Sequence, residues 1–368
     1  MDVQFQNNSL SVSYQNKSYQ LHPVWLRERL PGEEFFDVDT HQRLYEPSSI
    51  DLSLQIVDAR LSDHLLNIEF NDGAKGSYNI NSLLLEIDDE KNKRGPLPKR
   101  VLWNSTLNQF PEAQFEEEMA EKKSMYDLLI DFYKYGFVII KNVPTEDKYL
   151  LKFVNSIGPV KSTNFGEYFD VMSKPNPNDL AYKPIALPPH TDNPYRKPTA
   201  PGIQFLHCLQ NEVSGGFSTL VDGFAVAENI KTNDPEAFKS LTTTNLRYHF
   251  QDKDIVLENW GELIELDDDG DYKQVRYSTR VDYVPPLDTE KLNTFYRSRK
   301  LLSELYSASD FELKFKLQPG DIMMFDNHRL LHGRTAYDSN EGMRHLQGCY
   351  LEFDATDGKL RHLARKFK

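Results

Sequence analysis

Apolar and polar positions alternate in short stretches over residues 1–95. Leu10, Val12 and Tyr14 are separated by single polar residues, the period of a half-buried strand whose side chains point by turns to core and solvent. Leu52–Val57, Leu65–Phe70 and Ser77–Leu85 read as further strands, with Asn71-Asp72-Gly73 as a turn signal among them. A charged, proline-containing stretch then runs from Asp88 through Gly95-Pro96-Leu97-Pro98. It predicts a boundary near 95–105, with a small β-rich domain over residues 1–100 and a larger one over 101–368.

Beyond the boundary the period changes. Met125, Leu128, Leu129 and Phe132 recur at helical spacing, which predicts a helix over Ser124–Tyr135 with Ser124 as its cap and Gly136 at its end. Phe137-Val138-Ile139-Ile140 is a buried strand, and another helix is expected from Thr145 to Gly158. After Pro189 come short strands at Gly202–Leu209, Ser218–Val221, Val275–Ser278, Asp321–Phe325 and Met343–Phe353, interrupted by helices at Pro235–Leu241 and Glu290–Tyr306. Short strands broken by glycine and proline favour a mainly β fold with flanking helices, a sandwich or jelly roll, over a doubly wound sheet. No glycine-rich phosphate loop stands where a strand meets a helix, which argues against a nucleotide fold.

Composition narrows the function classes. Of 368 residues, 39% are hydrophobic and 12% aromatic, enough for a substantial core and for ring-lined pockets. The formal net charge of −13 excludes nonspecific attraction to nucleic acid. No apolar run reaches the roughly 20 residues that span a bilayer. The polar stretch from Met1 to Tyr19 lacks the features of a signal or transit peptide. Cys208 and Cys349 make no disulfide framework, so a reducing, cytoplasmic setting is expected.

His190-Thr191-Asp192 is the sharpest local feature. In an extended segment, residues two apart point the same way, so an imidazole and a carboxylate converge. A third donor would complete the two-histidine, one-carboxylate set that suits a non-haem Fe(II) oxygenase, with open positions for cosubstrate and O2. His332 is a candidate, and His328, His345 and His207 compete with it; periodicity does not choose among them. Arg344 follows His332 by twelve residues, where a hairpin could return it beside the metal to hold a dicarboxylate bidentately. Ser218, after Gly215-Gly216-Phe217, could add a hydroxyl to the same carboxylate.

The ordered set His190-x-Asp192, Gly215-Gly216, Phe325-Asp326-Asn327-x-Arg329-x-x-His332-Gly333-Arg334 and Arg344-His345-Leu346 resembles the γ-butyrobetaine hydroxylase and trimethyllysine hydroxylase family of the taurine dioxygenase-like group. His22-Pro23-Val24-Trp25-Leu26-Arg27 resembles the start of that family's small N-terminal domain, so the likeness covers nearly the whole chain. It implies a double-stranded β-helix, Fe(II) at His190, Asp192 and His332, 2-oxoglutarate bound through Arg344, O2 as second cosubstrate, and a homodimer. No protein general base is needed for the C–H step, and Asn327 and Arg334 read as supports for the ligands. With Asp192 present, hydroxylation rather than halogenation is the implied outcome. One departure stands out: the animal members carry a zinc-binding cysteine cluster where this chain has Glu28-Arg29-Leu30-Pro31-Gly32-Glu33-Glu34. Without thiolates no structural zinc is expected, and the small domain must rest on its own core, with Trp25 and Trp103 as candidate contributors.

The resemblance also points to a substrate. Phe165, Phe169, Tyr182 and Tyr350 fall where the family's aromatic cage holds a trimethylammonium group, a cation with no N–H to donate and therefore suited to ring faces. Asp179 stands where the butyrobetaine enzymes usually have Asn and the trimethyllysine enzymes an Asp. In Tyr277-Ser278-Thr279-Arg280, Ser278 and Arg280 replace the paired asparagines of carboxylate-binding relatives and suggest a different anion contact. γ-Butyrobetaine, giving carnitine, ranks first; 2-(trimethylammonio)ethylphosphonate second; trimethyllysine third. A taurine-type sulfonate oxygenase is a further alternative, against which the aromatic set speaks, and a non-catalytic jelly-roll binding protein is the remaining class.

Overall fold

The computed structural model of the chain describes residues 2–88, 94–172 and 183–367. Its contacts separate into two units, Met1–Gly95 and Pro96–Lys368, which meet inside the charged, proline-containing stretch. Among the described residues no helix is long and apolar enough to cross a membrane.

The first unit opens with strands β1 (Asp2–Gln6), β2 (Ser9–Tyr14) and β3 (Lys17–Leu21), paired antiparallel in that order. Asn7 and Asn8, then Gln15 and Asn16, all take positive φ, the conformation that two-residue hairpin turns require. Helix α1 (Pro23–Arg27) begins with proline and is capped by the His22 side chain. A second antiparallel sheet follows, from β4 (Ile56–Ser62), β5 (Leu65–Phe70) and β6 (Lys75–Asn79). On β5 the alternate residues Leu66, Ile68 and Phe70 are buried, as a strand with one core face demands. The strand expected over Ser77–Leu85 is mostly helix instead: α2 runs Ile80–Ile87. The Asn79 side chain accepts from the N–H groups of Asn81 and Ser82 and starts the helix. Ile80, Leu83 and Leu84 then bury one stripe while Leu85 faces solvent, so an apolar run that looks like a strand is one face of a helix. Trp25 packs half-buried against this unit's core under the Arg29 guanidinium. Trp103 belongs to the core of the second unit, a correction to its expected place.

The second unit is a layered sandwich. A six-stranded sheet has the order β7 (Glu112–Gln114), β8 (Phe137–Lys141), β19 (Ile322–Asp326), β11 (Ile203–Asn211), β21 (Arg344–Leu351), β9 (Phe169–Met172). A four-stranded sheet has the order β10 (Leu187–His190), β20 (Leu330–Arg334), β12 (Ser218–Asp222), β18 (Glu312–Phe315). Their facing side chains form one core: Phe137, Ile139, Leu206, Met323 and Phe325 from the larger sheet meet Leu220, Leu313 and Leu330 from the smaller. The alternate residues Val138, Ile140, Ile203, Phe205, Ile322 and Met324 turn outward. Helices α3 (Lys123–Tyr135), α4 (Tyr149–Asn155) and α8 (Phe353–Phe367) cover them. On the other side Val221 and Leu331 pack under α5 (Gly223–Asn233), α6 (Pro235–Thr243) and α7 (Thr289–Tyr306). That layer also holds β13 (Leu246–Gln251), β14 (Val256–Gly261), β15 (Ile264–Leu266), β16 (Tyr272–Val275) and β17 (Asp282–Tyr283).

Several boundaries differ from those the pattern predicts. Lys122, not Ser124, is the N-cap of α3, and the Ser124 hydroxyl is buried without a partner among the described residues. The helix expected from Thr145 begins at Tyr149, and the strand expected over Val275–Ser278 ends at Val275. The strand expected to reach Phe353 stops at Leu351, and α8 follows, burying Thr356, Leu360 and Leu363 at helical spacing.

One buried ion pair ties this unit together. Arg329 is 1% exposed and grips Asp222, itself fully buried, with Nε to Oδ1 at 3.1 Å and Nη2 to Oδ2 at 2.6 Å. Its remaining N–H groups donate to the carbonyls of Lys134 and Val101 at 3.1 and 2.6 Å. Asp222 Oδ1 also accepts from the N–H groups of Phe224 and Ala225, capping α5. Arg329→Met leaves that carboxylate buried and unpaired, so urea denaturation should show a loss of about 3–5 kcal/mol. A loss below about 1 kcal/mol, the range of exposed pairs, would mean that the pair holds nothing together.

Candidate metal centre

Period-two alternation carries polar residues into the sandwich interior. Leu330 and His332 of β20, Ser218 and Leu220 of β12, and Arg344 and Leu346 of β21 all turn inward, apolar at one end of the interior and polar at the other. Strand β10 pairs antiparallel with β20 in a register that sets His190 opposite His332. Their rings lie 4.4 Å apart between centroids. The pair is bulged between Leu187 and His190, and the two strands close up there because Gly333 has no side chain: a Cβ would stand 2.7 Å from the Leu187 carbonyl.

Asp192 completes the group. Its Oδ1 lies 3.5 Å from His190 Nε2 and 3.8 Å from His332 Nε2, and all three donor atoms fall within 4.8 Å of one another. His190 Nδ1 is 2.9 Å from the Pro188 carbonyl, which can only accept; Nδ1 therefore carries the hydrogen and Nε2 offers a lone pair. Thr191 points the other way and anchors the segment: its N–H donates to the Tyr277 carbonyl, and its hydroxyl accepts from the Tyr277 N–H. Asn327 holds Asp192 by its backbone, accepting from its N–H at 2.7 Å and donating to its carbonyl at 3.1 Å. Burial holds the His332 imidazole down at about 3, so it is a neutral donor at ordinary pH. Burial would raise the Asp192 carboxyl, but His332, His190 and the Tyr350 hydroxyl outweigh it and keep the group below the usual carboxylate range. Two imidazoles and one carboxylate are the set a divalent metal with open positions takes.

The competing histidines lie elsewhere. His328 Nε2 pairs with the Ala200 carbonyl at 2.8 Å, and His345 Nε2 with Asp170 at 2.7 Å. His207 is fully buried, and its burial holds it down at about 4.

Two cavities meet at the donor group and share Phe169, Val171, Leu187, His190 and Asp192 as wall. The smaller, of about 90 Å³, is lined also by Ser218, Arg334 and Arg344. Arg344 is 5% exposed; its Nε donates to the Gly216 carbonyl at 3.3 Å, while its Nη1 has no partner among the described residues. Gly216 makes room for it, since a Cβ there would come within 2.8 Å of the Arg344 Nε. Burial, then Arg334, lowers the Arg344 guanidinium to about 10, still charged at neutral pH. Arg334 donates to the carbonyls of Lys183 and Ile185.

The larger cavity, of about 360 Å³, is lined by Phe165, Phe169, Tyr350, Ser278 and Arg280, all expected from the sequence. Asp179 and Tyr182 lie outside the described residues. Two ring-bearing residues that sequence reasoning missed, Tyr195 and Phe250, stack at 4.7 Å between centroids in the same wall. Tyr195 is three positions beyond Asp192 and was open to notice; Phe250 arrives on the β13 hairpin and left no local signal.

Residues 103–350 match the taurine catabolism dioxygenase TauD, TfdA family. The chain belongs to that family. It is accordingly a dioxygenase, and its similarity to relatives runs over nearly its full length. It is 29% identical over 349 residues to γ-butyrobetaine dioxygenase of Pseudomonas sp. (strain AK-1), covering 94% of this chain and 90% of that one. It is 28% identical over 369 residues to mitochondrial trimethyllysine dioxygenase of Bos taurus, covering 96% and 83%. Among solved structures, that of AAD-2 in complex with Mn(II) and N-oxalylglycine superposes with a TM-score of 0.51 at 12% identity, over 69% of this chain and 97% of that one, a likeness of fold.

Each of His190→Ala, Asp192→Ala and His332→Ala should abolish stoichiometric Mn(II) binding by the folded protein, since a three-donor site cannot spare one. His328→Ala should bind as the parent does. Calorimetric titration decides it, and retained binding in His332→Ala with loss in His328→Ala would reverse the choice of distal donor.

Proposed function

We propose that this dioxygenase holds Fe(II) at His190, Asp192 and His332, takes 2-oxoglutarate and O2 as cosubstrates, and hydroxylates a small trimethylammonium compound, with γ-butyrobetaine, giving carnitine, as first choice. The sandwich is read as a double-stranded β-helix around that centre. The observation that carries the reading is the juxtaposition, in one cavity wall, of the donor set with the buried Arg344 guanidinium, whose Nη1 has no hydrogen-bond partner among the described residues. A buried cation with free N–H groups calls for an anion, and a planar fork suits a carboxylate.

When bound, iron with 2-oxoglutarate and O2 supplies the oxidising power that converts C–H to C–OH, releasing succinate and CO2. The chain's own residues bind and orient. Arg344, with the Ser218 hydroxyl in the same cavity, takes the far carboxylate of the cosubstrate. Asn327 and the Thr191–Tyr277 pair keep the donors in place without contact to the reacting atoms. The rings of Phe169 and Tyr350, 5.3 Å apart, with Phe165, Tyr195 and Phe250, line the cavity that the substrate enters and keep water from the reacting carbon.

γ-Butyrobetaine and trimethyllysine, named in the two relatives, share a quaternary trimethylammonium group. Such a cation cannot be neutralised by proton loss, and aromatic faces are the surface that fits it. The Arg196 guanidinium, 5.9 Å from the Phe165 and Tyr195 rings, supports the view that this wall accepts cations. At the other end, Ser278 and Arg280 line the cavity, and the charge of Arg280 is near enough to bear on His332. A guanidinium there favours, as a second reading, the doubly charged anion of 2-(trimethylammonio)ethylphosphonate. Trimethyllysine depends on Asp179, outside the described residues, and a taurine-type substrate leaves the ring wall without purpose.

A panel of trimethylammonium acids, scored by succinate formation and product mass, tests the function; turnover of taurine alone would sink the quaternary ammonium reading. Arg344→Lys keeps the charge but loses the fork, so the KM for 2-oxoglutarate should rise at least about tenfold. An unchanged KM would assign the cosubstrate to another cation. Replacing the quaternary nitrogen of the best substrate by a neutral tert-butyl carbon should weaken binding by about 2 kcal/mol, roughly thirtyfold. Phe169→Leu should erase most of that preference, and equal binding of cation and isostere by the parent would make the wall an ordinary apolar one.

A further inference from the structure

Tyr350 does two things at once. It lies on β21 opposite Gln204 of β11, and its ring forms part of the larger cavity's wall beside Phe169. Its hydroxyl reaches past the cavity to Asp192 and donates to Oδ2 at 2.7 Å. The other carboxylate oxygen, Oδ1, is the one that faces His190 and His332. A relay fixes the direction of this hydrogen bond: the Tyr195 hydroxyl donates to Asn193 Oδ1, which turns the Asn193 amide so that Nδ2 donates to the Tyr350 oxygen at 3.1 Å. With its oxygen already accepting from Asn193, the phenol's one hydrogen is committed to Asp192. Asn193 takes a positive φ of 53° and is buried, and all three residues of the relay stand in the wall of the larger cavity.

We propose that Tyr350 is a positioning residue for the metal: its hydroxyl, aimed by Asn193 and Tyr195, occupies Asp192 Oδ2 and holds the carboxylate to a single donor oxygen. The inference rests on the reading that His190, Asp192 and His332 hold a divalent ion. A carboxylate free to swing can offer both oxygens and fill a position that the cosubstrates need; one whose second oxygen is taken cannot. The ring that lines the substrate cavity and the hydroxyl that sets the ligand are thus one rigid side chain, and no part of this rests on the ring's affinity for a cation.

Tyr350→Phe separates the two roles, because it keeps the ring and deletes the hydroxyl. The full-length chain is titrated anaerobically with Co(II) and with Mn(II), and the visible Co(II) spectrum is recorded without cosubstrate or substrate. The parent should bind one Co(II), and His190→Ala none; if the parent does not bind, or binds equally without His190, the metal reading itself fails. Given parent binding, Tyr350→Phe should bind about tenfold more weakly, the loss typical of removing a partner of a metal ligand. Its Co(II) bands should shift in position and intensity as the carboxylate changes its mode of binding, a change that mere loosening of the fold does not produce. Tyr195→Phe removes the far end of the relay and should move affinity and spectrum in the same direction by a smaller factor, about two- to threefold. It carries the test if Tyr350→Phe proves poorly folded by circular dichroism. Parent-like affinity and an unshifted Co(II) spectrum in the folded Tyr350→Phe protein, or in Tyr195→Phe where that variant carries the test, overturn the proposal while leaving the metal site standing.

Discussion

Everything at the centre depends on the pairing of β10 with β20. That register, and no long-range charge effect, sets His190 across from His332. Because side chains alternate with a period of two, a slip of one residue would send His332 into the outer layer, where Leu331 now packs, and bring Leu331 to the interior. The register is held by a bulge at Pro188-Pro189, by Gly333 packed against the Leu187 carbonyl, and by the reciprocal hydrogen bonds of Thr191 with Tyr277. Backbone hydrogen bonding therefore assembles the donor set, and a metal entering it finds the geometry already made.

The same alternation explains what could be read from the chain. His190-x-Asp192 is legible because same-face spacing in an extended segment needs only two residues. The distal histidine is not, because choosing His332 over His328 requires knowing that a strand spans Leu330–Arg334, and its buried, uniformly apolar start gives no alternation to detect. The family resemblance selected His332, and the placement of His328 against Ala200 and of His345 against Asp170 is consistent with that selection in physical terms. Phe165 and Phe169 come to one cavity with Tyr350 from a distant stretch of the chain, a convergence that only the resemblance could foresee. Likewise, Leu83-Leu84-Leu85 carries the composition of a buried strand, and only the Asn79 cap decides for a helix.

The sandwich interior changes character along its length. At one end Phe137, Phe325, Leu313 and Leu330 pack as an ordinary apolar core. At the other, Ser218, Arg334 and Arg344 share the same interior. Phe325 spans the transition, its ring 4.9 Å from that of His332. The apolar end, with the Arg329–Asp222 pair beneath it, supplies the rigidity that lets the polar end remain incompletely satisfied. A buried guanidinium with one nitrogen left without a partner is unfavourable in isolation and is retained only where the surrounding packing can hold it.

That unmet need has a consequence for selectivity. The two cavities share a wall at the donor group but differ in the rest of their lining. Away from the donor group, Arg344 and Arg334 suit the smaller one to an anion, whereas the larger one pairs the ring faces of Phe169, Tyr350, Tyr195 and Phe250, suited to a cation that cannot shed its charge, with the Arg280 guanidinium. On the proposed function, a dicarboxylate would be drawn to the Arg344 side and a trimethylammonium compound to the ring-lined side. The residue that belongs to both sides of this division is Tyr350, whose ring faces the cation's cavity and whose hydroxyl is spent on the carboxylate of the metal site. Both residues that these proposals turn on sit on one strand, β21, which carries Arg344 at its start and Tyr350 near its end.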